Sequence, residues 1–226
     1  MKIITVILLV LPNSIFASGL PESFSKLEEM YIDGVSIAYN KKITTVINER
    51  SEDGMSVRAI RTLIDWKKKG QYYVIDFSEG PSADPHFTIY KEVNKKLKRI
   101  TAGGGTQLIV PGNGSIYVSG HTNSMFDERL KIKIDDEKYK LVKQPYLFVG
   151  LDTEVSRDIE IYSEKEQKNV VARLPEGSSV FVVLNDGKYY LLKTPFGLLG
   201  WYYMDGTYPV GTKEVSPLPG IYYHGD

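Results

Sequence analysis

Turn-forming residues punctuate this chain about every ten positions, and short runs of alternating apolar and polar side chains stand between them. Leu130-Lys131-Ile132-Lys133-Ile134 alternates strictly and ends at Asp135-Asp136-Glu137. Further on, the runs 179–184 and 189–193 flank Asn185-Asp186-Gly187, whose Asp-Gly pair favours the left-handed conformations of a tight hairpin. A period of two sends successive side chains to opposite faces of a strand, and turns this closely spaced leave little room for crossover helices. The expected fold is therefore mainly β, an antiparallel sandwich or meander. The 16 Tyr and 20 Gly suit such a fold. No repeat of 20 to 50 residues is evident, which argues against a propeller.

Taken in order, residues 23–30 carry scattered apolar positions and predict a short helix capped by Ser23. Runs 35–39 and 43–47 read as strands, with Asn40-Lys41-Lys42 as a hairpin turn between them. Residues 56–70 admit two readings. Val57, Ile60, Leu63 and Ile64 fall at helical spacing, whereas Lys68-Lys69-Gly70-Gln71 would turn a strand into the strongly β-like run 72–77, which favours a hairpin. Runs 87–90 and 97–100 form a second hairpin around Asn94-Lys95-Lys96, and 108–110, 115–119 and 139–142 are further strands. Leu151-Asp152-Thr153 marks the expected join between two units, and 207–226 is a proline-containing tail, either packed along the N-terminal domain as an extended strand or loose.

At the start, Lys2, the apolar run 3–11 and the small-residue end around Phe16-Ala17-Ser18 have the order of a secretory signal peptide over 1–18. The run is too short to span a bilayer, and no later stretch reaches the length of a transmembrane helix. A periplasmic or secreted protein is the expectation. There is no cysteine, so disulfides, thiol nucleophiles and cysteine-based metal sites or lipid anchors are excluded. With 28 basic and 28 acidic residues the chain lacks the basic surface that nucleic acid or an anionic membrane requires.

The region 150–206 has a recognisable order. An early strand and polar loop (159–169) precede a strand ending in Leu174 before a Gly177 turn; then come the 180–184 strand, the Asp186-Gly187 hairpin and a Gly197-x-x-Gly200-Trp201 finish. This order resembles a bacterial SH3-like (SH3b) domain. Tyr162 lies where that family usually has an arginine, and Tyr189 where it often has a tryptophan. The resemblance implies a small SH3-like β-barrel following a β-rich domain of unassigned role over 19–149. It also implies a module that recognises cell-wall peptides or an envelope protein. The candidate binding residues are Tyr162, Tyr189, Tyr190, Trp201 and Tyr203, aromatics that give contact area at small entropic cost. Alternation sends Tyr189 and Tyr190 to opposite faces, so only part of the set can line one surface, and core filling is the competing role.

Other features read as weaker. His86 and His121 sit in loop-like segments and would serve an alternative, an envelope hydrolase with a serine or metal site; neither has the local spacing of a known motif. Gly103-Gly104-Gly105-Thr106 lacks the lysine of a phosphate loop and reads as a flexible turn, and Asp127-Glu128 and Asp135-Asp136-Glu137 read as solvated hairpin acids. No catalytic residue, metal or cofactor is assigned, and the expected protein is a non-catalytic binder.

Overall fold

The computed structural model describes residues 20–32, 35–50, 56–78 and 84–225, and the run expected to be a signal peptide lies outside them. The described chain is mainly β, as its alternation requires. Its strands are, in order, β1 (Glu28–Ile32), β2 (Val35–Tyr39), β3 (Thr44–Arg50), β4 (Ser56–Leu63), β5 (Tyr72–Ser78), β6 (His86–Val93), β7 (Lys96–Gly104), β8 (Gln107–Val110), β9 (Ser115–Gly120), β10 (Glu128–Asp135) and β11 (Lys138–Leu141). Then follow β12 (Leu147–Glu154), β13 (Ile159–Tyr162), β14 (Val170–Leu174), β15 (Ser179–Asp186), β16 (Tyr189–Lys193) and β17 (Leu199–Tyr203). Among the described residues no helix is long and apolar enough to cross a membrane.

The first eleven strands form a sandwich. One sheet is a meander, β3-β4-β5-β6-β7, and the other has the order β1-β2-β8-β9-β10-β11. Their facing side chains meet in one core that includes Ile37, Ile60, Ile75, Phe87, Ile89, Leu108, Val110 and Ile116. Residues 56–78 are the expected hairpin, β4 pairing antiparallel with β5. In the next hairpin Asn94 and Lys95 both take positive φ (50° and 61°), the backbone twist a two-residue turn needs.

Three local expectations are corrected here. The helix over 23–30 is a single 3-10 turn, Glu22–Phe24, followed by β1, which pairs antiparallel with β2 and packs Met30 on the core. Three apolar positions are too few to sustain a helical face once strand pairing competes for the same backbone. The hairpin expected between 35–39 and 43–47 is absent. Asn40 accepts a hydrogen bond from Lys42 N (3.1 Å), a 3-10 turn covers Lys41–Ile43, and the chain crosses from one sheet to the other. Every residue of β2 is buried between β1 and a parallel partner, β8, so it is an interior strand. Gly103 and Gly104, read as a flexible turn, instead end β7 opposite Phe87 and His86.

The acids of the 135–137 turn stand at the surface, as expected, and each meets a lysine there. Asp135 pairs with Lys68, Asp136 with Lys91, and Glu137 with Lys98 at 2.6 Å, so the β10–β11 turn is clasped to the meander. Tyr73 adds a hydrogen bond from its hydroxyl to the Asp136 carbonyl at 2.8 Å.

The remaining strands form a six-stranded antiparallel sheet of order β12-β15-β16-β17-β13-β14. This hydrogen-bonded order is open, with β12 and β14 at its ends. Leu151-Asp152-Thr153, the expected join, lies inside β12, and the connection between the units is the preceding stretch 142–146. The second core contains Val149, Ile161, Val182, Tyr190 and Leu192, and also Phe126 from before the sheet and Leu218 and Ile221 from the tail. The tail is thus packed, but chiefly on this second core and not as a strand along the N-terminal domain, which it meets at the loop around Ser124 and Met125. Leu218 and Ile221 are fully buried, Tyr222 N donates to Met125 O (3.1 Å) and His224 N to Ser124 O (3.0 Å). Burying two such side chains contributes about 1.5–3 kcal/mol each.

Candidate aromatic binding face

Antiparallel register builds the site. Across β16 and β17, Tyr189 faces Tyr203, Leu191 faces Trp201 and Lys193 faces Leu199, while Tyr162 of β13 faces Trp201 from the other side. Directly opposed residues share a face, so Tyr162, Tyr189, Trp201 and Tyr203 lie together on the outer surface of the sheet. The register follows from the Asp186-Gly187 turn, where Gly187 at φ +63° stands just outside the Asp186↔Tyr189 pair. Gly200 points to the opposite, inner face, where a β-carbon would stand 2.8 Å from the Ile161 side chain; only a glycine lets β17 lie this close.

Tyr190 does not belong to this surface. It is 3% exposed, meets Phe126 edge-on at 6.3 Å, and its phenol pKa is pushed up by burial. It is a core residue, because its alternation places it inward beside Leu192. The other four remain part-exposed. Tyr189 and Tyr203 are stacked at a tilt, with centroids 5.2 Å apart. The Tyr162 hydroxyl donates to Glu160 Oε2 (2.8 Å), which raises its pKa, and Glu160 also pairs with Arg173 (2.8 Å).

Two contributors were not foreseen. Tyr146, in the connection before β12, lies 6.2 Å from Trp201. Lys165, from the loop between β13 and β14, lays its Nζ over three rings, 4.5 Å from the Trp201 centroid, 5.4 Å from Tyr146 and 5.9 Å from Tyr189, and pairs with Asp186. No local spacing marks either residue. Tyr146 lies outside the SH3b-like stretch, and Lys165 is one charged residue in a polar run.

The same outer face continues into a groove. Asp152, Phe181 and Lys193 are successive cross-strand partners, and Lys193 faces Leu199, so they share the face of Trp201. They line an open depression of about 730 Å³ with Glu154 and Pro195, within the size range of ligand sites. Lys193 lies four residue steps from Tyr189 along β16, roughly 13 Å.

The histidines are arranged differently from expectation. His121 meets His224, with ring centroids 4.0 Å apart, and its Nε2 donates to the Tyr222 carbonyl at 3.0 Å. Burial first, and His121 second, lower the His224 pKa. His86 stands on β6 opposite Ser78. Among the described residues no three His, Asp or Glu side chains gather at metal-binding distance.

Comparison with protein-family models, with curated proteins and with solved structures finds no match to this chain.

Proposed function

We propose that the chain is an exported, non-catalytic binding protein, and that its C-terminal sheet is an SH3b-like module taking cell-envelope peptide on its outer face. The observation that supports this reading most is the outward cluster of Tyr162, Tyr189, Trp201 and Tyr203, which continues into the groove of Asp152 and Phe181. A protein whose aromatics served only packing would turn them inward, as it does Tyr190. Aromatic side chains with polar edges supply rigid contact area along an extended ligand, and the Lys193-to-Tyr189 span accommodates about four extended residues. The apolar run 3–11 supports export.

The test uses the whole chain, because the second core draws on Phe126 and Leu218, which a 150–206 fragment lacks. Purified peptidoglycan sacculi are expected to retain the wild-type protein in a sedimentation assay, and Trp201→Ala to lower that retention roughly tenfold or more. Trp201→Phe, which keeps a ring, is expected to lie between the two. No retention of the wild-type chain, or equal retention of a folded Trp201→Ala variant, would sink the reading.

A further inference from the structure

The rings around Lys165 form a three-sided box for a cation, and the chain fills it with an ammonium of its own. Trp201, Tyr146 and Tyr189 turn toward Lys165 Nζ at 4.5, 5.4 and 5.9 Å, and Asp186 accepts its N–H. An ammonium near several ring faces is held by their quadrupoles.

The walls and the occupant are mounted differently. Tyr189 and Trp201 stand on paired strands and Asp186 closes the β15–β16 hairpin, so three parts of the box are fixed by ladder hydrogen bonds. Lys165 hangs from a turn whose own hydrogen bonds run within residues 163–169: Ser163 N to Asn169 O and Gln167 N to Glu164 O, both 3.1 Å. Displacement of the lysine would need that turn to move while Tyr189, Trp201 and Asp186 stay in place. The side chains of Lys165 and Asp186 remain 28% and 41% exposed, so solvent screens part of the ion pair that opposes withdrawal.

We propose that Lys165 is a stand-in, and that the box takes the primary ammonium of a peptide ligand's diamino residue, displacing Lys165 from Trp201 and Asp186. This rests on the peptide-binding reading above. The carboxylate decides the class of guest. A quaternary ammonium satisfies the rings but has no N–H for Asp186, whereas a primary ammonium satisfies both. The groove on the same face carries two acids, Asp152 and Glu154, against one lysine, Lys193, a balance that leaves room for one further positive charge on the ligand.

The chain has two tryptophans, and Trp66 stands apart at the β4–β5 connection. A Trp66→Phe background therefore makes Trp201 the sole emitter. Lys165→Ala, with Lys165→Gln as a second variant, empties the box, and n-butylammonium is titrated against Trp201 fluorescence. The emptied box is expected to bind n-butylammonium about tenfold more tightly than the Lys165 protein does, and tetramethylammonium several-fold more weakly than n-butylammonium. Adding Asp186→Asn is expected to erase that preference. No response in either emptied variant, or equal affinity for the two cations, overturns the proposal. Sacculi with acetylated amines separate the two readings. Retention equal to that of untreated sacculi overturns the amine assignment and leaves peptide binding standing; amine-selective quenching without retention of sacculi does the reverse.

Discussion

Tyr73 shows how one side chain can report on the seam between two sheets. It is 3% exposed, its hydroxyl reaches the Asp136 carbonyl, and burial, reinforced by the nearby acids, pushes its pKa up to about 12. Because the folded value lies above the unfolded one near 10, the folded chain holds a proton that the unfolded chain has released between those pH values. The stability this contributes is complete below about pH 10 and is lost as pH rises toward 12, on the order of 2–3 kcal/mol. Urea denaturation at a series of alkaline pH values is expected to show Tyr73→Phe losing stability less steeply over that window than the wild-type chain. A parallel fall in the two proteins would contradict this account. At neutral pH the variant is expected to be less stable by about 1 kcal/mol, the usual net contribution of one hydrogen bond.

Among the elements, the tail carries the most testable consequence. Leu218 is fully buried in the second core, and Ser156 and Thr153 hold the chain around it through Ser156 N to Pro217 O (3.1 Å) and Thr153 Oγ1 to Pro219 O (2.7 Å). Leu218→Ala is expected to destabilise the protein by about 2–5 kcal/mol, measured by thermal or urea unfolding, whereas Val215→Ala, at an exposed tail position, is expected to be near neutral. Elements also show what could be read from sequence. Hairpins were legible at Asn94-Lys95 and at Gly187, where turn residues with positive φ join adjacent strands, and the alternating run at 130–134 becomes β10, but Asn40-Lys41-Lys42, read as a turn in the same way, carries the chain from one sheet to the other. The parallel β2–β8 pairing was not legible, because no local residue pattern encodes a partner seventy positions away. The site divides in the same way. Alternation within β16 separated Tyr189 from Tyr190, but Tyr146 and Lys165 reach Trp201 only through long-range register.

Across the whole molecule, two cores share one chain through the 121–126 segment. Phe126 enters the second core while Ser124 and Met125 receive the returning tail, so the last residues are anchored on the β9–β10 loop of the sandwich. The aromatic face thereby stands on a sheet braced by an internal loop and by the C-terminal tail. The acidic turn at 135–137 performs a similar office inside the sandwich, each of its carboxylates meeting a lysine of the facing region.

The parallel neighbours β2 and β8 give this architecture a temporal order. Everything in the meander lies between them in sequence, so the whole of that sheet is the crossover connection parallel strands require. Joining β2 to β8 before the meander forms would close a long floppy loop; joining them afterwards closes a short, structured one. The meander is therefore expected to nucleate folding, with β8 docking late. In stopped-flow measurements Ile75→Val, at the heart of the meander, should chiefly slow folding, while Val110→Ala, in β8, should chiefly speed unfolding. The reverse pattern would mean that the long loop closes first.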